Sequence, residues 1–292
     1  MRFFAHVAVF LALFLAVSAH SETPNEIRFQ YQDGLIWLKA EVPGKTKSLN
    51  FLLDSGAGVS VIDLDQARAL GMRIGDPESV QGVSGRTVAY RVKDFQANSG
   101  GVVLPKSVLA INLQAISQRC RQHIDGILGM DFFRGRIVQI DFAARRVRIV
   151  EPDSLSRLRP ISPFSYVGQG LANCEILPIK ICNDAICVPI RVAENPAQWI
   201  RLDTGCDACL DWVVSNRGKR ETEGTSFGLS HFSGNSVKTT VQIGKQRFVV
   251  AAAVHEKPMF SGEAGLLGNG LLSKFRLTID EPGDRVIFER NR

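Results

Sequence analysis

Two aspartates stand in matching surroundings. Asp54 closes the apolar run Phe51-Leu52-Leu53 and is followed by Ser55-Gly56-Ala57, and Asp203 closes Ile200-Arg201-Leu202 and is followed by Thr204-Gly205-Cys206. In each copy a strand-like run delivers a carboxylate into a turn, a small hydroxyl comes next, and a glycine lets the backbone bend and approach a partner. Two carboxylates brought within hydrogen-bonding distance cannot both ionise cheaply, so such a pair keeps one proton over a wide pH range. The ionised member can take a proton from a water held between them, the water can attack an amide carbonyl, and the protonated member can donate to the developing oxyanion. The chemistry to expect is hydrolysis without a covalent intermediate.

The elements that must position these acids are also duplicated. Gly126-Ile127-Leu128-Gly129-Met130-Asp131 recurs as Gly265-Leu266-Leu267-Gly268-Asn269-Gly270. Each copy runs on into a strand, an acidic turn and a strand: 137–141 and 146–149 in the first half, 275–280 and 285–288 in the second. Two motifs in the same order predict an internal repeat in which each half supplies one Asp. Residues 26–42 alternate about the turn Gln32-Asp33-Gly34, which predicts a hairpin with Ile27, Phe29, Ile36 and Leu38 facing inward. Residues 63–70 read as a short helix with Asp63 as N-cap and Gly71 beyond its end. Gly82-Val83-Ser84-Gly85 reads as a hairpin tip hanging over the acids. The second half offers residues 226–235, including His231-Phe232-Ser233-Gly234, for the same role, while its polar stretch 211–224 shows no helical period. The prolines and glycines of 151–170 mark a linker. The expected organisation is therefore a leader at 1–19, a first lobe at 20–150, that linker, and a second lobe at 171–292.

The leader is read from Met1-Arg2-Phe3-Phe4, an apolar run from Val7 to Val17 and the small residues Val17-Ser18-Ala19, the pattern of a secretory signal peptide. That run is short of the ~20 residues a spanning helix needs, so an exported protein, periplasmic or secreted and without a stable membrane span, is expected. With 45% hydrophobic residues, 26 Gly and 12 Pro, the chain suits many short strands around a large core. The net charge of +6 is scattered, with Arg145, Arg146 and Arg148 the densest cluster, and does not point to nucleic acid. Six cysteines in an exported chain permit disulfides. Cys182 with Cys187 across Asn183-Asp184 is the first pairing to expect, Cys206 with Cys209 form a C-x-x-C, and Cys120 and Cys174 remain.

Leu53-Asp54-Ser55-Gly56-Ala57 with Ile127-Leu128-Gly129, and Leu202-Asp203-Thr204-Gly205 with Leu266-Leu267-Gly268, resemble the Asp-Thr/Ser-Gly and hydrophobic-hydrophobic-Gly motifs of retropepsin-like aspartic proteases. The similarity covers nearly all of residues 26–290. It implies an all-β fold of two closed-barrel lobes with a cleft between them, in a fused single-chain form like the bacterial exported proteins of the group. It also implies an aspartyl protease (hydrolase) with Asp54 and Asp203 catalytic, working as a monomer on a polypeptide substrate without cofactor or metal. Ser55 and Thr204 would cross-link the two active-site loops. Gly56, Gly205 and the segments 127–129 and 266–268 would support those loops. Gly82, Val83, Ser84 and Gly85, with His231, Phe232, Ser233 and Gly234, would be flaps over the substrate. The second lobe departs from the pattern at Arg201 in an apolar strand, at Cys206 in place of Ala or Ser, and at Asn269-Gly270 where the first lobe has Met130-Asp131.

Other readings are weaker. Cys206-Asp207-Ala208-Cys209 follows an acid strand and lacks the helix start that activates a redox thiolate. Residues 265–270 are glycine-rich but have neither the strand-turn-helix unit nor the lysine of a phosphate loop, and no zinc-protease or serine-hydrolase motif is present. The rival from another class is a non-catalytic peptide-binding or regulatory module on the same fold. Retention of both Asp and both hydroxyl neighbours favours catalysis.

Overall fold

The computed structural model describes residues 25–82, 85–152, 159–162, 165–167, 174–214, 236–256, 258 and 262–291. The expected signal segment, the hairpin-tip residues Val83 and Ser84, and the whole of His231, Phe232, Ser233 and Gly234 lie outside the described residues.

The molecule is mostly β. The first half contributes strands β1 (Glu26–Gln32), β2 (Leu35–Ala40), β3 (Leu49–Leu53), β4 (Val61–Asp63), β5 (Ile74–Gly82), β6 (Gly85–Val92), β7 (Asn98–Ser99), β8 (Val102–Val103), β9 (Val108–Ile111), β10 (Gly126–Leu128), β11 (Ile137–Asp141) and β12 (Arg146–Val150). Helices α1 (Leu64–Ala69), α2 (Gln114–Cys120) and α3 (Met130–Phe133) interrupt them. Within the expected linker, β13 (Arg159–Ser162) and β14 (Ser165–Val167) pair only with each other. The second half supplies β15 (Cys174–Pro178), β16 (Lys180–Cys182), β17 (Ala185–Val192), β18 (Gln198–Asp203), β19 (Leu210–Val213), β20 (Ser236–Ile243), β21 (Gln246–His255), β22 (Gly265–Gly268), α4 (Asn269–Leu272), β23 (Phe275–Asp280) and β24 (Arg285–Arg290).

A six-strand run in the order β15-β24-β23-β11-β12-β1 crosses from one half to the other. Its middle is the antiparallel pair β11 and β23, in register from Ile137 opposite Asp280 to Asp141 opposite Arg276. The two strand-turn-strand repeats read from the sequence therefore meet edge to edge, which leaves neither half with a free edge there. Beyond β1 the same sheet continues through β2, β3, β10, β4, β9, β6 and β5. In the second half β17, β18, β22, β19, β21 and β20 close into a barrel, because β20 returns to pair with β17. The matching closure in the first half is a single bridge, with hydrogen bonds in both directions between the Glu41 and Asn98 backbones.

The alternation in residues 26–42 settles as expected. Ile27, Phe29, Ile36 and Leu38 are buried, and Asp33 and Gly34 both take positive φ, the geometry of a tight hairpin turn. In the second half the same turn is made by Asn183 and Asp184, also at positive φ without a glycine. Asp63 caps α1 by accepting from the amides of Asp65 and Gln66. Helix α2 escaped the sequence reading, since it is two turns with one buried residue, Ile116. The main hydrophobic core runs through both halves, from Phe29, Phe51 and Phe132 to Phe248, Phe275 and Phe288. No helix among the described residues is long and apolar enough to cross a membrane.

Candidate active site

Both aspartates sit at the ends of strands buried on both faces. β3 lies between β2 and β10 and runs parallel to β10, with Leu52 beside Ile127 and Leu53 beside Leu128. β18 lies the same way between β17 and β22, with Leu202 beside Leu267. Parallel strands covered on both sides explain why the motifs are continuous apolar runs. The amide of Asp54 continues the ladder to the Leu128 carbonyl at 2.9 Å.

The glycines of the second motif are there for room. A Cβ on Gly129 would stand 2.4 Å from the Val59 backbone, and one on Gly268 would stand 2.4 Å from the Ala208 carbonyl oxygen. Each active-site loop thus folds down onto the hydrophobic-hydrophobic-Gly strand of its own half. The Met130 amide donates to Ala57 O and the Asn269 amide to Cys206 O, both at 2.7 Å.

The two loops then lock across the halves. Ser55 Oγ donates to Leu202 O at 2.8 Å and accepts from the Thr204 amide at 3.1 Å. Thr204 Oγ1 donates to Leu53 O at 2.9 Å and accepts from the Ser55 amide at 2.9 Å. Four fully buried groups are thereby satisfied in a reciprocal set, each hydroxyl serving the other half's backbone. A Cβ on Gly56 would lie 2.5 Å from the Asp203 carboxyl carbon, and one on Gly205 would lie 2.4 Å from that of Asp54. Each carboxylate lies across the other loop's glycine, so both positions exclude any side chain.

Asp54 Oδ1 accepts from the amides of Gly56 and Ala57, and Asp203 Oδ1 from the amide of Gly205 at 2.8 Å. Burial and then the neighbouring Asp54 charge push Asp203 well above the usual carboxylate range. Burial also raises Asp54, against the hydrogen bond from Asp203, the two amides and the Arg201 guanidinium. Of the two, Asp203 is pushed up by burial and by its neighbour's charge together, and carboxyls this close titrate as a unit.

The structure accounts for two of the three departures in the second half, Arg201 and Asn269-Gly270. Arg201 does not disturb the strand: its guanidinium reaches out of β18, donates to the Gly56 carbonyl of the other loop at 2.6 Å and pairs with Glu263. Asn269, fully buried, donates from Nδ2 to Thr204 O at 2.7 Å and to Gly34 O in the first half's hairpin turn at 2.8 Å. In the first half, Asp131 accepts from the Ser60 amide and hydroxyl, and that hydroxyl accepts from the Gly129 amide. At the corresponding places stand Cys209 and Gly270, where a Cβ on Gly270 would lie 2.9 Å from the Cys209 sulfur. A larger atom at one position has been matched by the loss of a side chain at the other.

The expected disulfides are not formed. None of the six cysteines is joined to another in a disulfide. Cys182 and Cys187 do lie together on the β16–β17 hairpin, in side-chain hydrogen-bond contact, and burial followed by that contact raises the Cys187 thiol. Cys206 and Cys209 occupy separate loop positions against Gly268 and Gly270. Cys120, on α2 near Asp207 and Asp33, is pushed up to about 12 by burial, and Cys174, on the outer strand near Glu289 and Arg276, to about 11. Neither is joined to another cysteine.

Of the first hairpin tip, Gly82 and Gly85 are placed opposite one another at the end of β5 and β6. Sequence reasoning missed Ser60, Asp131, Glu263 and the turn contacts. Those contacts are symmetrical: Gly34 abuts Asp207 and Asp184 abuts Gly58, so each hairpin turn braces the other half's active-site loop.

An all-β molecule holding a buried carboxylate pair between two Asp-Ser/Thr-Gly loops has the retropepsin-like form. Residues 38–132, which include Asp54 and Ile127-Leu128-Gly129, match the family model described as Aspartyl protease, and at that level the match supports a peptidase. No curated protein matches the chain.

Proposed function

We propose that the protein is a two-lobed aspartic endopeptidase, with lobes at 20–150 and 171–292, exported by the segment 1–19 and active as a monomer. The reading rests on the reciprocal lock of Ser55 and Thr204, with each carboxylate seated on the other loop's glycine. Such a lock serves to bring Asp54 and Asp203 together and leaves them one proton to share.

In the proposed reaction Asp54 is the base and Asp203 the acid. Asp54 takes a proton from a water lying between the carboxyls, the oxygen attacks the scissile carbonyl, and Asp203 donates its proton to the carbonyl oxygen. As the tetrahedral intermediate collapses, Asp54 passes the water's proton to the leaving amine nitrogen and Asp203 takes its own proton back from the diol oxygen, which restores the one-proton dyad. An extended polypeptide lies between the lobes under the β5–β6 hairpin, with backbone pairing for affinity and side-chain pockets for specificity.

Cleavage of an unfolded protein from about pH 3 to 7 tests this, comparing wild type with Asp54→Asn and Asp203→Asn. Cutting by wild type and none by either variant is the expected result. Loss with Asp54→Asn alone would remove Asp203 from the mechanism. Peptide binding without cutting, unaffected by either change, would make the cleft a receptor.

A further inference from the structure

The duplicated registers align the halves residue by residue. Leu52 and Arg201 sit beside Ile127 and Leu266, and Val61 and Asp211 sit beside the same two residues on the opposite side. Ile111 and His255 hold equivalent places on β9 and β21, and Ile124 and Glu263 precede Gly126 and Gly265 by two residues. In the first half Leu52, Val61, Ile111 and Ile124 belong to one apolar cluster. In the second half the same four places carry Arg201, Asp211, His255 and Glu263. They form two pairs, Arg201 with Glu263, both side chains almost wholly buried, and Asp211 with His255 at 2.7 Å.

Buried ion pairs are poor substitutes for packed aliphatics, because desolvation consumes most of the attraction. Stability therefore does not account for the exchange. Arg201 has a second engagement that its apolar counterpart cannot make, the bond to Gly56 O beside the dyad.

We propose, on the peptidase reading above, that Arg201 is a positioning residue for the dyad: it ties the second half's acid strand to the first half's loop and keeps a fixed cation beside both carboxyls. The charged and titratable groups around it among the described residues include Asp54 and Asp203 on the loops, Glu263 ahead of β22, and the Cys187 thiol facing it from β17. Its charge favours ionisation of both aspartates, in agreement with the placement. Glu263, engaging Nε and Nη2, fixes the guanidinium plane and leaves Nη1 for the carbonyl. A lysine could supply the charge but not that fork.

The test compares the full chain with Arg201→Lys and with Arg201→Leu/Glu263→Ile, which restores the first half's residues and removes both members of the pair. Cleavage is followed against pH, and the carboxyl carbons of labelled aspartate are followed by NMR. In the double variant the acid limb and the lower aspartate titration should both move up by about one pH unit or more, the usual effect of losing an opposite charge at close range. Arg201→Lys should hold that titration near the wild-type position while kcat falls about tenfold or more through the loosened Gly56 loop. A folded double variant that titrates like wild type, with only thermal stability changed, would make the pair merely structural and overturn the proposal. So would a lysine variant that titrates like the double variant. Should wild type cut nothing, the peptidase reading fails, yet the NMR titration still decides what Arg201 does to the pair.

Discussion

Ser55 and Thr204 each satisfy two buried backbone groups belonging to the opposite half. Truncating either hydroxyl leaves a donor and an acceptor without partners, each costing about 1–3 kcal/mol. Ser55→Ala and Thr204→Ala should therefore each lower stability by about 2–4 kcal/mol in urea unfolding, and the double variant should fall short of their sum because the loops act together. The dyad leaves its own mark on stability. Asp203 is raised in the folded state above its ordinary value of 3.8, so folding binds a proton that the unfolded chain releases. Its contribution is fully present below that ordinary value and is lost as pH rises through the folded-state pKa. Unfolding measured from pH 3 upward should thus show stability declining toward neutrality, and Asp203→Asn should flatten that decline. Cleavage should fade over the same rise, as the shared proton leaves.

At the scale of elements, each active-site loop is held down on its hydrophobic-hydrophobic-Gly strand, and the two halves do this with different chemistry. The Ser60–Asp131 hydrogen bonds of the first half face the Cys209–Gly270 fit of the second. Gly270→Asp alone would put a Cβ 2.8 Å from the Cys209 amide nitrogen and 2.9 Å from its sulfur, an overpacking expected to cost about 1–3 kcal/mol. Adding Cys209→Ser, which shortens the clashing atom and rebuilds the first half's arrangement, should recover a measurable part of that loss. A double-mutant cycle by chemical denaturation checks the coupling, and strict additivity would refute it. The apolar runs and both Asp-hydroxyl-Gly turns were legible because parallel strands buried on both faces impose a simple pattern. The Cys-x-x-Cys was legible only as a motif without a role, since its meaning lies in two glycines more than fifty residues downstream.

For the whole molecule, the sheet through β11 and β23 and a core running through both halves leave little room for one half to unfold alone. A single cooperative transition is expected. Trp37 reports the first half, Trp199 and Trp212 the second, so a Trp37→Phe variant should melt with the same midpoint by fluorescence as by circular dichroism of that same variant. Separate midpoints would show that the interface sheet does not couple the halves.

The amino-acid sequence alone determined the all-β class, and it displays in each half an Asp followed by a small hydroxyl and a glycine at a strand end. These follow from local periodicity and from turn chemistry that a short window carries. Only the tertiary structure decided that Arg201 reaches Gly56, that Asn269 ties the Thr204 loop to the Gly34 turn, and that no two cysteines are joined in a disulfide. Those outcomes depend on which backbones approach within a few ångströms across large separations in sequence. Nothing in the spacing of residues along one strand records that distance.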